Sequence, residues 1–363
     1  MVSYRRLNNL VGWIVFLIAS AVYILTTEPT TSFWDCGEYI ATAYKLQVGH
    51  PPGAPFFQIL GRIFSLFAFD GPSQVAQMIN IMSALSSSFT ILFLFWSITM
   101  LARKLVNKGG EMTSSKTWTI LTGGIIGALA YTFTDSFWFS AVEGEVYAMS
   151  SFFTAVVFWA ALKWERVADE PHADRWLILI AYLIGLSIGV HLLNLLAIPA
   201  IALIVFFRKY KKHSVWRTVL VFILSLFILA AIMYGIIPMT ITLFASTELL
   251  FVNVFRLPFH SGTIFFSIIL VGLIVLGLLY TRNPDKRKSR WLFILGGILG
   301  FLFFLGERHS VNTVFFRLLI FVLIAGAFYL SRRRRALQHS VILSITFILS
   351  GYSSFLMLVI RSN

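Results

Sequence analysis

The sequence predicts an all-α, polytopic membrane protein of about eleven transmembrane helices, and three observations carry that expectation. Of its 363 residues, 58% are hydrophobic and only 12% are charged, about half the charged share of soluble domains. Apolar segments approaching the ~20 residues needed to cross a bilayer recur to the last residues. Lys and Arg gather in alternate loops, as loops retained in the cytoplasm do.

The spans are read at residues 9–26, 76–103, 118–136, 147–164, 176–190, 191–207, 216–238, 262–281, 291–306, 312–330 and 339–360. Ala19-Ser20-Ala21 resembles a signal-peptidase site, but Val22 to Leu25 prolong the apolar run, so the first span is read as a retained anchor. The run from Trp176 to Phe207 is too long for one helix and is split in two. Charge supports the split. With the amino terminus inside, Arg5/Arg6, Arg103 to Lys116, Lys163 to Arg175, Arg208 to Arg217, Arg282 to Arg290 and Arg332 to Arg335 share one face, 23 of the 29 basic residues. A wrong helix count would scatter them over both.

This topology accounts for the formal charge of +14 without nucleic acid as a partner. Nine of the fifteen acids fall outside: Glu28, Asp35, Glu38, Asp70, Asp135, Glu143, Glu145, Glu248 and Glu307. Chemistry is therefore expected on the outer face. Cys36 is the one cysteine, which excludes an intrachain disulfide and a cysteine metal cluster. There is no nucleotide-binding G-x-x-x-x-G-K-[ST] loop, no H-E-x-x-H and no G-x-S-x-G elbow.

The external loop 27–75 carries the densest polar chemistry. In "FWDCGEYIATAYKL" the residues Asp35, Glu38 and Lys45 recur at helical spacing, which predicts a helix at the membrane surface with both acids on one face. Ser32 to Asp35 also fits a looser capping box. His50-Pro51-Pro52-Gly53 ends that helix, and "APFFQILGRIFSLFAF" reads as a second interfacial helix. In the next external loop, "TDSFWFSAVEGEVYAM", a helical reading turns Glu143 and Glu145 apart and leaves Glu143 and Tyr147 able to share a site. His191 and Asn194 fall at the outer tip between the two short spans, where ionisable groups are candidates by default. Arg256, Arg308 and Arg361 are the remaining outer arginines at span ends.

The acidic pair after the first span, the surface helix, "HPP" and the second surface helix resemble the first external loop of the GT-C glycosyltransferases, especially protein O-mannosyltransferases. "FWDCGEYIATAYKLQVGHPPGAPFF", "FWFSAVEGEVYAM", "GLSIGVHLLNLLAIPA" and "GYSSFLMLVIRSN" are similar to one branch, a bacterial inner-membrane family. Its animal relatives O-mannosylate plexin-type receptor domains. The resemblance implies a single GT-C-like transmembrane domain over residues 1–363. It implies a multi-pass inner-membrane enzyme, amino terminus cytoplasmic and active site external. It would move one sugar, mannose, from a polyprenyl-phosphate donor to Ser or Thr of exported proteins, with inversion. The family's catalytic acid carries over to Asp35, with Glu38 beside it. Members usually continue past "IRSN" into a polar carboxyl-terminal region, which is expected to be absent here.

A lipid-phosphate donor requires cations where charge develops, which selects Arg256, Arg308 and above all Arg361. His50, Glu143, Tyr147 and His191 complete the expected substrate-binding set. Carboxylates suit Mg or Mn, so Asp35, Glu38 and Glu143 would hold a metal, but the resemblance implies none and no cofactor. Two rival readings remain: a flippase or transporter of lipid-linked sugars, whose ionisable residues belong at the midplane of broken helices, and an inactive membrane scaffold.

Overall fold

A computed structural model describes residues 3–107, 109–212, 214–282 and 334–362, with isolated positions between 291 and 329. The spans expected at 291–306 and 312–330 fall largely outside the described residues, and Arg308 lies wholly outside them. All regular elements among the described residues are helices. Seven stretches are long and apolar enough to cross a membrane: Tyr4–Leu25, Pro72–Val106, Val146–Val167, Leu192–Lys209, Val215–Val254, Ser261–Arg282 and Arg335–Arg361. The chain divides into two compact units, Met1–Ala197 and Ile198–Asn363, each described by itself.

The first unit is organised around α4 (Val75–Val106), against which α1 (Tyr4–Leu25), α5 (Ser114–Thr132) and α7 (Val146–Val167) pack. In α1 the buried residues Gly12, Val15, Ala19 and Tyr23 recur every three or four positions and form the stripe that meets α4. Gly12 lets the helices close up, since a Cβ there would lie 2.6 Å from Trp96 Nε1. Contacts on several sides explain why α4 buries small residues all round, including Ala84, Ser83, Ser87 and Ser88. At 32 residues and ~1.5 Å per residue, α4 exceeds the ~30 Å hydrocarbon core, so its ends project beyond it. One projecting end carries Lys104, which pairs with Glu165 of α7.

Two short helices fill the loop between α1 and α4: α2 (Cys36–Lys45) and α3 (Pro55–Ser65). Pro55 occupies the first turn of α3, where its missing N–H costs nothing. Gly61 brings α3 onto α2, because a Cβ at that position would sit 2.8 Å from that of Ala43. After α6 (Asp135–Ala141) and α7, the short helix α8 (Arg175–Ile188) stops at Gly189. A 3₁₀ turn at Leu192–Leu196 follows, and α9 (Ala197–Lys209) starts beyond it. The long run from Trp176 is thus two helices with a turn between them, as expected.

In the second unit, α10 (Val215–Ala231) and α11 (Ile237–Leu249) join through a π-helical segment, Ile232–Ile236, and a second one follows at Leu250–Val254. The span expected to end at 238 therefore continues to Val254, and most of the loop assigned to 239–261 is helix. Pro238 gives the physical reason for the first irregularity. It lacks an N–H and its ring crowds the carbonyl four residues back, so the ladder slips by one residue instead of breaking. The 40 residues of Val215–Val254 measure ~60 Å, about twice the hydrocarbon thickness.

The helix α12 (Ser261–Arg282) packs on α11 and on α13 (Arg335–Tyr352), and α14 (Leu356–Arg361) follows. Glu248, buried, caps α12 by accepting from the N–H of His260, and from the N–H (2.8 Å) and hydroxyl (2.9 Å) of Thr263. The distribution of basic loops predicts that reporters fused after Lys212 or Arg335 read as cytoplasmic, and those after Gln58 or Ser261 as external. An external reading at Lys212 would remove the pair of spans assigned to Trp176–Phe207.

Candidate active site

Site formation begins where the chain leaves α1. Asn80 of α4 donates through Nδ2 to the carbonyls of Glu28 (2.6 Å) and Thr30 (2.9 Å), which pins the strand of chain running to α2. Trp34 then takes a left-handed backbone, φ 60°, and Asp35 becomes the residue preceding the first turn of α2. The expected capping box does not form. Asp35 makes no capping bond with its side chain, and the Ser32 hydroxyl turns instead to Glu143. The Asp35 carboxylate is left facing outward, 56% exposed.

His50 is what joins the two acids of the loop. Glu38 accepts the His50 backbone N–H at Oε1 (2.7 Å) and faces its Nδ1 with Oε2 at 3.0 Å. Nε2, the other ring nitrogen, stands 4.0 Å from Asp35 Oδ2. The N–H bond from His50 is the main cause holding the Glu38 carboxyl below its usual range, with the ring contact and the imidazole charge adding to it. Ring contacts continue inward from His50 to Tyr39 (5.6 Å) and from Tyr39 to Phe57 (5.5 Å). Gly49 keeps the turn compact: a Cβ there would press within 3.2 Å of Glu38 Oε1 and Gln58 Nε2. Ligand atoms of Asp35, Glu38 and His50 lie within 4.8 Å of one another, so among the described residues these three have the spacing to hold a cation.

Behind α2 lies the Glu143-Gly144-Glu145 turn. It is not helical, since α6 ends at Ala141 and α7 starts at Val146. The helical geometry on which the expected separation of Glu143 and Glu145 rested is therefore absent. Both are buried, 3% and 8% exposed. Gly144 sits so tightly that a Cβ would lie 2.8 Å from Asn80 Oδ1 and 3.0 Å from Ile40. Burial, then the charges of Glu143 and Asp35, push the Glu145 carboxyl up to about 7. Burial likewise raises Glu143, against the Ser32 hydroxyl. Tyr39 is held at about 12, chiefly by burial and then by Glu145, Asp35, Glu38 and Tyr147. That list of neighbours maps the site: one tyrosine of α2 feels both loops.

Tyr147, in the first turn of α7, lies against the His191 ring at 5.5 Å. Burial pushes the His191 imidazole down, and its Nδ1 accepts the Leu193 N–H (3.1 Å) as an N-terminal cap, which keeps the neutral form. Asn194 is fully buried and donates to Ser187 Oγ (2.9 Å), so it faces no water at the tip.

The structure therefore gathers Asp35, Glu38, His50, Glu143, Tyr147 and His191 in the first unit. Arg256 and Arg361 belong to the second. Arg256 is exposed in a left-handed conformation, φ 57°, just past the long helix, and Arg361 is exposed at the end of α14. Sequence reasoning chose Glu143 over Glu145 for the site and did not include Tyr39 in it. A glycine between two glutamates was the signal that a helix could not be assumed there.

Fold and site together define a class: a polytopic α-helical membrane protein with a carboxylate-rich site in the loops beyond its spans. Residues 35–214 match the family described as Protein O-mannosyl-transferase TMEM260 N-terminal domain, and the chain is related to those O-mannosyltransferases. It is 28% identical over 186 residues to Protein O-mannosyl-transferase tmem260 of Dictyostelium discoideum, covering 50% of this chain and 21% of that protein. To Protein O-mannosyl-transferase TMEM260 of Mus musculus it is 24% identical over 227 residues, 62% of this chain and 30% of the relative. The chain thus spans less than a third of the length of either. No solved structure matches it.

Proposed function

We propose that this chain is a membrane protein O-mannosyltransferase, a single transmembrane domain that moves mannose from a polyprenyl-phosphate donor to Ser or Thr of exported proteins. It acts in the inner membrane with its amino terminus cytoplasmic and its site external. The observation that carries this reading is the meeting of Asp35, Glu38 and His50 in the first external loop, within the region matched to the O-mannosyltransferase family.

An alcohol is barely ionised near neutral pH, so its attack on the sugar requires a positioned base. Asp35 is that base: it is exposed, and no capping bond ties up its side chain. Glu38 is not its substitute, because both of its oxygens are engaged by His50; it orients the imidazole instead. The hydroxyl attacks C1 of the sugar, Asp35 takes its proton, and the bond from C1 to the phosphate oxygen breaks with its electron pair leaving on phosphate, which inverts the carbon. Arg361, with Arg256 and Arg308 beside it in role, receives that charge.

Transfer of labelled mannose from polyprenyl phosphate to an exported acceptor, by the purified chain in vesicles, tests the reading. Translocation of the donor without transfer would favour a flippase. The guanidinium fork matches phosphate oxygens as an ammonium does not, so Arg361→Lys is expected to lose most turnover. Wild-type turnover in that variant would move the phosphate role to Arg256 or Arg308.

A further inference from the structure

At the ends of α1, α4 and α7 remote from the acidic loops, two contacts draw basic side chains together. The Arg103 guanidinium of α4 lies over the Tyr4 ring of α1 at 5.1 Å, and its neighbour Lys104 pairs with Glu165 of α7. Those contacts gather Arg5 beside Tyr4, Arg103 on α4, and Lys163 and Arg166 on either side of Glu165. Lys163 is half-buried, its ammonium 5.0 Å from the Trp159 ring, and the neighbouring charges acting on it are Arg166 and Arg5. Both repel it. Glu165 is engaged by Lys104, and none of Arg5, Arg103, Lys163 and Arg166 forms an ion pair among the described residues.

Retention of basic loops explains cations near a helix end, not their convergence without partners. Arg103 and Arg166 stand in the last turns of α4 and α7, where the helix dipole favours a cation. Arg5 stands in the first turn of α1, where the dipole opposes one. An anion among them removes the repulsion, and the surface below says which anion. Leu10, Trp13, Ile14 and Leu17 are exposed and recur on one face of α1, a stripe left to lipid. Arg6, also exposed, lies four residues before Leu10 and so heads that stripe. Cations above an apolar stripe match a phosphate above an acyl chain. A free phosphate would gain nothing from the stripe.

We propose that this end of the first unit binds an anionic phospholipid, its phosphate held by Arg103, Lys163 and Arg166 and one acyl chain lying on the stripe below Arg6. The guanidinium forks match phosphate oxygens, and basic clusters between helices at a membrane face hold acidic headgroups in this way. The site is independent of sugar transfer, since no residue of the acidic loops takes part in it.

The purified full chain in phosphatidylcholine vesicles, with phosphatidylglycerol added stepwise, tests the proposal through the thermal unfolding midpoint. The midpoint should rise and saturate as the anionic lipid fills the site. Inorganic phosphate at matched ionic strength should not reproduce the rise. Lys163→Gln combined with Arg166→Gln should weaken the affinity for phosphatidylglycerol about thirtyfold, the loss of two basic contacts at a membrane surface. Arg166→Gln alone, exposed and without an ion pair to lose, should weaken it about fivefold. In pure phosphatidylcholine the double variant should melt no lower than the parent, because the repulsion is gone. Lys211→Gln with Lys212→Gln removes the same charge from an exposed loop and should leave the rise intact. Absence of the rise in the parent refutes the site, as does a rise that survives in the first pair or is lost equally in the second. A rise reproduced by inorganic phosphate refutes the lipid and assigns a free anion.

Discussion

Asp35→Asn should reduce sugar transfer by on the order of a hundredfold to ten-thousandfold, the range a positioned general base contributes, while the protein inserts and folds as before. The second half of that expectation follows from the geometry. Asp35 precedes the first turn of α2 without a side-chain capping bond, so the exchange removes no hydrogen bond that holds the helix. Asparagine is moreover among the residues preferred at that position. The 4.0 Å approach of His50 Nε2 to Asp35 Oδ2 is too long for a hydrogen bond, so the clamp between His50 and Glu38 does not depend on the charge. Turnover in lipid and the thermal unfolding midpoint are the two measurements. Near-normal turnover would remove Asp35 from the chemistry. A midpoint that collapses with the activity would make the residue structural.

The membrane character, the spans at 9–26, 76–103 and 147–164 and the two short helices between the first two of them were legible in the sequence, because each rests on local information. Of the other spans expected in the first unit, 118–136 is not among the seven apolar stretches of crossing length and Arg175–Ile188 is shorter. Hydropathy marks a span, and a proline pair after a short helix marks the turn. Helix length in the second unit was not legible. Pro238 reads as a helix end by the usual rule, yet the chain passes it through a π segment and runs on to Val254. Whether a proline stops or merely kinks a helix depends on what packs around it, and sequence reasoning had no access to that. Glu145 was lost for the opposite reason, a local rule applied where local structure differs. Spacing two apart separates side chains on a helix, but the segment between Ala141 and Val146 is not helical, and both acids are buried there. The meeting of His50 with Glu38 is twelve residues distant along the chain. Only the packing of α2 against α3 specifies it.

Glu38→Gln should cost less than loss of Asp35 but more than an exposed carboxylate ordinarily would. Glu38 holds His50 twice, at its backbone N–H (2.7 Å) and at Nδ1 (3.0 Å). A carboxylate facing Nδ1 holds a proton there and so turns Nε2 toward Asp35 and the substrate. Glutamine can keep the backbone bond with its carbonyl oxygen, but its amide then points an N–H at Nδ1. The ring must shift its proton to Nε2 or swing away from Tyr39, against which it now rests. Misplacement of that order costs up to about a hundredfold in rate. Nitrogen-15 spectra should report the change at His50 Nδ1 directly, whatever the activity. A double variant supplies the sharper test, since residues acting as one unit are not additive. If Glu38 works only by orienting His50, then Glu38→Gln combined with His50→Ala should be no slower than His50→Ala alone. A further loss in the double variant would give Glu38 a part in the reaction separate from His50, and the division of labour between the two loop acids would have to be redrawn.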